Sequence, residues 1–251
     1  MFGFRKIRRY WHAITRHAIG EVWMLHRVSD EVTPIPRLRP YEIQPINLER
    51  LIIAYVEKGY EFVSVEEACK RMCSQKKCNK FVAITLDDGY EDNYNVAYPI
   101  FQKYNIPFCI YVAPALITGE SNVDEEYDYK MMTIDQIFAL ANEPLCTLAA
   151  HTYSHVSLQV LSKSEQLQEI KRGIDWLFNI TKKPIKDFSY PYGRRNDETK
   201  KIIKDLGIER AVLAGGGRVL NYTKGLTLDI PRILIDDTYA TEYFINNNPG
   251  F

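Results

Sequence analysis

Two adjacent aspartates, Asp87 and Asp88, follow an apolar segment that is typical of a buried strand, residues 81–86. In a parallel barrel, residues that do chemistry lie at the carboxyl ends of the strands, and Gly89 would let the backbone turn tightly beside the pair. Because neighbours in an extended segment point to different sides, one carboxylate can face a metal ion while the other faces a nucleophile. Asp-Asp-Gly alone is also an ordinary polar turn, so the motif needs partners elsewhere.

Two of the five histidines, His151 and His155, follow another predicted strand, residues 147–150. Histidines four apart fall on one face of a helical turn, where both imidazoles can reach a single cation. A chance pair is the alternative interpretation. A carboxylate at a neighbouring strand end favours the ligand interpretation, because two histidines and one aspartate leave open positions for water and substrate. The combination predicts a catalytic metal site.

A third motif, Tyr190-Pro191-Tyr192-Gly193, ends the predicted strand at residues 187–190. Proline and glycine on either side of an aromatic residue make a rigid loop. Such a loop can aim a backbone N–H at a developing oxyanion, or present a ring to a sugar. Alone this segment would be an ordinary turn, but beside the other two motifs it is expected to form a wall of the site.

The elements that must position these motifs alternate regularly along the chain. Because single helices separate most of the predicted strands, the pattern predicts parallel strands joined by crossovers, which is an α/β fold of the β/α-barrel type in a single domain. The predicted strands span residues 21–26, 61–63, 81–86, 108–112, 147–150, 187–190, 210–213 and 230–235. The predicted helices span residues 48–58, 65–72, 93–104, 134–142, 164–181 and 197–206, and Thr133 would cap the fourth of them.

Composition excludes several classes of protein. The 251 residues are 46% hydrophobic and 25% charged, which is ordinary for a globular protein and excludes collagen, coiled coils and disorder. With 32 basic and 32 acidic residues, the chain has no net charge to attract a polyanion, so nucleic acid is not an expected partner. Five cysteines without a Cys-x-x-Cys pair do not form a disulfide framework, which favours a reducing compartment.

Residues 1–20 form a segment distinct from the predicted catalytic barrel, residues 21–251. This segment has five basic residues and no acidic one, and its apolar residues recur at helical spacing, as in a basic amphipathic helix. A helix that closes one end of the core is the favoured interpretation, and peripheral contact with a membrane surface is the alternative. No apolar run has the length of a secretory signal or a membrane span, so a cytoplasmic location is expected, with the inner face of the membrane as the alternative.

The three motifs together resemble those of the polysaccharide deacetylases of carbohydrate esterase family four, the NodB-homology fold. Residues 85–89, Thr-Leu-Asp-Asp-Gly, are similar to the family's Thr-Phe-Asp-Asp-Gly, and His151 to His155 is similar to its His-Ser/Thr-x-x-His. Residues 190–193 are similar to the end of its Arg-x-Pro-Tyr-Gly. The resemblance implies a distorted (β/α) barrel, related to the TIM barrel, with about seven parallel strands. It also implies hydrolysis of N-acetyl groups on an N-acetylated glycan with a divalent metal, most often zinc, with cobalt, nickel or manganese as alternatives.

The resemblance also implies roles for individual residues. Asp87 resembles the general base, and the backbone N–H of Tyr192 resembles an oxyanion donor. The implied metal ligands are Asp88, His151 and His155. The residues expected to bind substrate are Tyr90, Tyr190, Pro191 and Gly193.

This chain departs from the family pattern at two places. Ser189 stands where the family usually has an arginine that holds the catalytic aspartate, and Arg232, in the last predicted strand, is the candidate replacement. The usual catalytic histidine near the C-terminus is absent, because no histidine follows His155. His26 ends the first predicted strand and resembles the acid histidine of a rearranged branch that includes poly-N-acetylglucosamine deacetylases. In that branch the strand bearing this histidine has moved from the end of the sequence to its beginning, which predicts His26 as general acid.

Two other functions remain open at this stage. The same groups could hydrolyse an amide in a compound that is not a sugar. The chain could also be a glycan-binding or assembly scaffold without turnover, as the missing motif arginine would allow. The intact set of Asp87, Asp88, His151 and His155 favours catalysis.

Overall fold

The computed structural model describes residues 18–74, 78–122, 129–220 and 227–247. The strands are β1 (Ala18–Leu25), β2 (Arg27–Val28), β3 (Glu42–Ile43), β4 (Glu61–Phe62), β5 (Phe81–Asp88), β6 (Phe108–Val112), β7 (Cys146–Ala150), β8 (Asp187–Ser189), β9 (Arg210–Gly216), β10 (Val219–Leu220) and β11 (Ile230–Leu234). The helices are α1 (Pro45–Glu57), α2 (Val65–Cys73), α3 (Tyr98–Lys103), α4 (Pro114–Ile117), α5 (Ile134–Ala141), α6 (Lys163–Thr181), α7 (Asp197–Asp205) and α8 (Asp237–Asn247).

Seven parallel strands close into a barrel in the order β5-β6-β7-β8-β9-β11-β1. The ring closes because β1 pairs with β11 on one side and with β5 on the other, from Gly20 beside Phe81 to Leu25 beside Leu86. The first barrel strand of the chain therefore lies between the second and the last. β4 pairs with the first residues of β5, and β10 pairs antiparallel with β1. The prediction of a distorted barrel with about seven parallel strands is confirmed.

The alternation of side chains along β5 decides which groups enter the barrel. Val82, Ile84 and Leu86 belong to the large apolar cluster that also includes buried side chains of the surrounding helices. Phe81 and Ala83 belong to a second cluster, shared with alternate residues of the other barrel strands. Because side chains alternate between the two faces of a strand, Asp87 continues the series of Phe81 and Ala83 at the carboxyl end of the barrel.

The helix predicted at residues 93–104 is divided in the structure. A π-helical turn spans Asn93–Ala97, and the α-helix α3 begins only at Tyr98. Pro99 lacks the N–H that would continue the regular pattern, so the turn before it adopts another hydrogen-bond pattern. The predicted cap of α5 is confirmed, since Thr133 and Gln136 form a reciprocal capping box.

The C-terminal helix α8 was not predicted from the sequence. Asp236 accepts a hydrogen bond from the backbone N–H of Tyr239 at 2.6 Å, which caps the helix. Asp237 accepts two more from the start of α1, from Gln44 N and Asn47 Nδ2. The cap residue was the signal in the sequence that would have located this helix.

The predicted amphipathic segment, residues 1–20, lies almost wholly outside the described residues, which begin at Ala18. Within the described ranges, no helix is long and apolar enough to cross a membrane.

Candidate metal centre and active site

A buried ion pair joins the last barrel strand to β5. Arg232 Nη1 donates to Asp87 Oδ1 at 2.7 Å, and Arg232 Nη2 donates to Asp87 Oδ2 at 2.6 Å. The side chain of Arg232 is fully buried, and Asp87 is 3% exposed. The planar guanidinium therefore holds the carboxylate by two parallel bonds, a geometry that a lysine cannot reproduce.

Every N–H of the Arg232 guanidinium has an acceptor. Besides Asp87, Nε donates to the Leu213 carbonyl at 2.6 Å, Nη1 to Thr85 Oγ1 at 3.0 Å and Nη2 to Ser189 Oγ at 3.0 Å. These partners come from three other barrel strands, so the guanidinium is fixed on all sides. Ser189, which stands in place of the motif arginine, thus lies against Arg232, the predicted replacement for that arginine.

This arginine decides the charge of Asp87. Burial alone would raise the pKa of Asp87, but the charge and the hydrogen bonds of Arg232 outweigh it and hold that pKa below its usual range. Asp87 is therefore a carboxylate at neutral pH.

Three side chains converge as a candidate metal site. Ligand atoms of Asp88, His151 and His155 all lie within 4.8 Å of one another. Asp88 Oδ1 is 3.6 Å from His151 Nε2 and 3.3 Å from His155 Nε2. Asp88 Oδ1 is buried and has no hydrogen-bond partner among the described residues.

The protonation of His151 supports metal binding. Its Nδ1 lies 2.8 Å from the Ser189 carbonyl, which only accepts, so Nδ1 carries the proton and Nε2 presents its lone pair to Asp88. Burial lowers the pKa of His151 to about 4, so the ring is neutral at pH 7. A lone pair and a buried carboxylate oxygen that face each other repel unless a cation lies between them. The donor set therefore fits a divalent metal.

The histidine motif is not the helical turn that was predicted. Thr152 has φ of 61° and His155 has φ of 57°, both in the left-handed region that is unfavourable for residues other than glycine. The chain leaves β7 in a tight turn, and this turn still brings both imidazoles to one point. Asp88, the third member of the metal set, has φ of 75° as well.

His26 reaches the same cavity from β1. Its Nδ1 is buried and has no hydrogen-bond partner among the described residues. Burial lowers the pKa of His26, whereas the charges of Asp88 and Asp87 act in the opposite direction. The ring packs edge-on against Tyr41, with centroids 4.8 Å apart. The residue predicted as general acid and the residue predicted as general base thus face one cavity.

The cavity has a volume of about 650 Å³, within the range of small-ligand sites. Seven of the predicted site residues line it: His26, Asp87, Asp88, Tyr90, His151, His155 and Tyr192. Tyr90 hydrogen-bonds Asp88, and burial followed by that charge raises the pKa of Tyr90, so its hydroxyl keeps its proton. Tyr192 is 59% exposed, and the centroid of its ring lies 4.9 Å from that of His155.

Tyr190, Pro191 and Gly193, which were also expected to bind substrate, are not among the residues that line this cavity. Tyr190 is fully buried and its hydroxyl donates to the Leu228 carbonyl at 2.9 Å. Gly193 has φ of 67°, and a Cβ there would lie 3.1 Å from Ala214 N. These three residues belong to the loop that presents Tyr192 to the cavity.

One wall of the cavity was not predicted from the sequence. Arg37, Leu38 and Tyr41 line it from a 3-10 helix at Pro36–Tyr41, a segment that lies outside the predicted strands and helices. Arg27 anchors this wall, since it donates to Glu42 at 2.7 Å and to Asp92 at 2.9 Å. The position of Arg27 directly after His26 was the signal in the sequence that Arg27 lies beside the site.

The sequence matches a known family over its central part. Residues 74–211 match the profile described as polysaccharide deacetylase, and the chain therefore belongs to the polysaccharide deacetylase family. That match contains β5, β7 and β8, which bear the three motifs, but neither β1 with His26 nor β11 with Arg232.

Individual relatives extend the similarity. The chain is 30% identical over 162 residues to YxkH of Bacillus subtilis (strain 168), a candidate polysaccharide deacetylase. That alignment covers 64% of this chain and 54% of YxkH. It is 24% identical over 247 residues to the poly-beta-1,6-N-acetyl-D-glucosamine N-deacetylase of Staphylococcus aureus (strain MRSA252). That alignment covers 95% of this chain and 83% of the relative. The solved structure of IcaB from Ammonifex degensii has a TM-score of 0.75 at 22% identity, covering 90% of this chain and 95% of that one, and shows the same fold.

Proposed function

We propose that this protein is a metal-dependent hydrolase that removes N-acetyl groups from an N-acetylated glycan. The observation that carries the proposal is the meeting, in one cavity, of the Asp88, His151 and His155 set with an arginine-held Asp87 and with His26. The Staphylococcus aureus relative, which is named for this activity on poly-beta-1,6-N-acetyl-D-glucosamine, aligns with both β1 and β11, because the alignment covers 95% of the chain.

Asp88, His151 and His155 would hold the metal. Two imidazole nitrogens and one carboxylate favour zinc, with cobalt, nickel or manganese as alternatives, and they leave positions open for water and substrate. When bound, such an ion polarises a carbonyl and lowers the pKa of water.

The remaining groups divide the proton transfers. Asp87 is ionised and oriented by Arg232, so it can accept the proton of the attacking water. The backbone N–H of Tyr192 would stabilise the oxyanion of the tetrahedral intermediate. His26 would protonate the departing amine, so that acetate and a free amino sugar are the products.

Acetate release tests this function. The zinc-loaded protein is expected to release acetate from β-1,6-linked N-acetylglucosamine oligomers, and Asp87→Asn is expected to abolish release because its amide cannot accept the proton. Simple N-acetyl amides without a sugar are the comparison substrates. Glycan binding without acetate release would contradict the proposal and favour the scaffold, and preference for the simple amides would contradict the glycan specificity.

Metal content tests the ligand set. We expect about one zinc ion per purified chain, and we expect Asp88→Ala and His151→Ala to lose most of it, because each removes one of three protein ligands. Elemental analysis gives the stoichiometry. The exposed Asp135, at the start of α5, supplies the control variant Asp135→Ala, which should keep its metal. Full occupancy in both ligand variants would contradict the assignment.

A further inference from the structure

The turn that bears both histidines depends on its surroundings. Thr152 and His155 have left-handed backbone conformations. For residues other than glycine this conformation is unfavourable, and it persists only where the neighbouring structure stabilises it. The two peptides between them, at Tyr153 and Ser154, point their N–H groups towards helix α6.

One side chain of α6 satisfies both of these groups. Glu169 Oε2 accepts a hydrogen bond from Tyr153 N at 3.2 Å and another from Ser154 N at 2.9 Å. One oxygen that accepts from two successive amides holds both peptides at a single point, which a carboxylate oxygen or a side-chain amide oxygen can do. Glu169 therefore binds the turn at its middle, between His151 and His155.

The same face of α6 is shaped to bring this carboxylate close. Gly173 lies one helical turn after Glu169, and a Cβ at that position would be 2.3 Å from the Thr152 carbonyl oxygen. Residues four apart share a helix face, so the missing side chain at 173 lets the helix approach and the side chain at 169 makes the contact. This close approach fixes the distance from the helix to the turn.

We propose that Glu169 is a positioning residue for the metal site. By holding the amides of Tyr153 and Ser154, its carboxylate sets the separation at which the rings of His151 and His155 meet Asp88. The inference rests on the proposed metal-dependent function and extends it, because Glu169 lies in none of the three motifs. It acts on the ligands through the backbone alone.

Three substitutions separate the hydrogen bonds from the charge. Glu169→Gln keeps the length and an accepting oxygen but loses the charge. Glu169→Asp keeps the charge but withdraws the carboxylate by one methylene, and Glu169→Ala removes both. Gln168→Ala, at an exposed position of the same helix, is the matched control.

The measurement is the Zn²⁺ affinity of the metal-free full chain, determined by competition with a chromogenic chelator. Partners that orient metal ligands are typically worth about 10-fold to 100-fold in affinity, and we expect losses of this size for Glu169→Ala and Glu169→Asp. Glu169→Gln and Gln168→Ala should bind Zn²⁺ nearly as the unsubstituted protein does. The visible spectrum of the Co²⁺-loaded protein, which reports ligand geometry, should change only in the Ala and Asp variants.

The outcomes distinguish this inference from the proposed function. If the unsubstituted protein bound no Zn²⁺, both would be overturned. If it bound Zn²⁺ and the Ala and Asp variants bound it equally well, with unchanged Co²⁺ spectra, only the role of Glu169 would be overturned. Normal affinity in Glu169→Asp together with weak binding in Glu169→Gln would assign the effect to charge and would also overturn the positioning role.

Discussion

Replacement of His26 with alanine is expected to lower kcat for acetate release by about 10²-fold to 10⁴-fold, the usual contribution of a general acid. The geometry of barrel closure is the reason. β1 pairs with β5 up to Leu25 beside Leu86, and the next residues on the two strands are His26 and Asp87. His26 would give a proton to the substrate and Asp87 would take one from water, and the two residues follow directly paired positions of adjacent strands.

The controls separate chemistry from folding. Metal content should change little in His26→Ala, because His26 is not among the three residues that form the metal set. The variant should still unfold cooperatively, because the Nδ1 that it loses has no hydrogen-bond partner in the part of the chain that the structure describes. His26→Gln, which keeps a polar side chain without acid-base function, should lose turnover to a similar extent. Turnover close to that of the unsubstituted protein in both variants would show that another group donates the proton.

Replacement of Arg232 with methionine is expected to abolish measurable turnover and to lower the free energy of unfolding by about 3–5 kcal/mol, the usual cost of leaving a buried charge without its partner. Asp87 would remain as that charge, because the hydroxyl that also donates to it, Ser189 Oγ at 3.3 Å, is neutral. Since the pKa of Asp87 is depressed from 3.8, the pair stabilises the folded state above that pH and loses its contribution as the pH falls further. Urea unfolding at pH 7 therefore measures the full contribution of the Arg232–Asp87 pair to the free energy of unfolding.

A second ion pair supplies the matched control for Arg232. Arg210 binds Asp187 with two bonds, Nε to Oδ1 at 2.7 Å and Nη2 to Oδ2 at 2.8 Å, at the amino end of the barrel strands. Arg210→Met should also destabilise the protein, but the folded variant should keep its kcat. The double variant Arg232→Met/Asp87→Leu should recover part of the lost stability without activity. Normal kcat in Arg232→Met would contradict the orienting role.

The local patterns of the sequence were enough to predict most of the barrel strands, most of the long helices and the three motifs of the site. Short apolar segments identified β5 and β7, and the residues that follow them, Asp87, Asp88 and the two histidines, were expected at one rim. This succeeds because an apolar segment with a polar end is a property of neighbouring residues, and because parallel strands present their carboxyl ends on the same side.

Tertiary structure alone decided how distant groups meet. Arg232 lies 145 residues from Asp87, and its five donors meet their acceptors only because β11, β9, β8 and β5 take a particular register around the closed ring. A register slip of one residue would turn its side chain out of the barrel. The same holds for Glu169, whose contact with the histidine turn depends on how closely α6 packs, and for Tyr190, which the fold buries instead of presenting to the cavity. Side-chain type and spacing determine which chemistry is available, whereas strand register and helix packing determine which of those groups share one cavity.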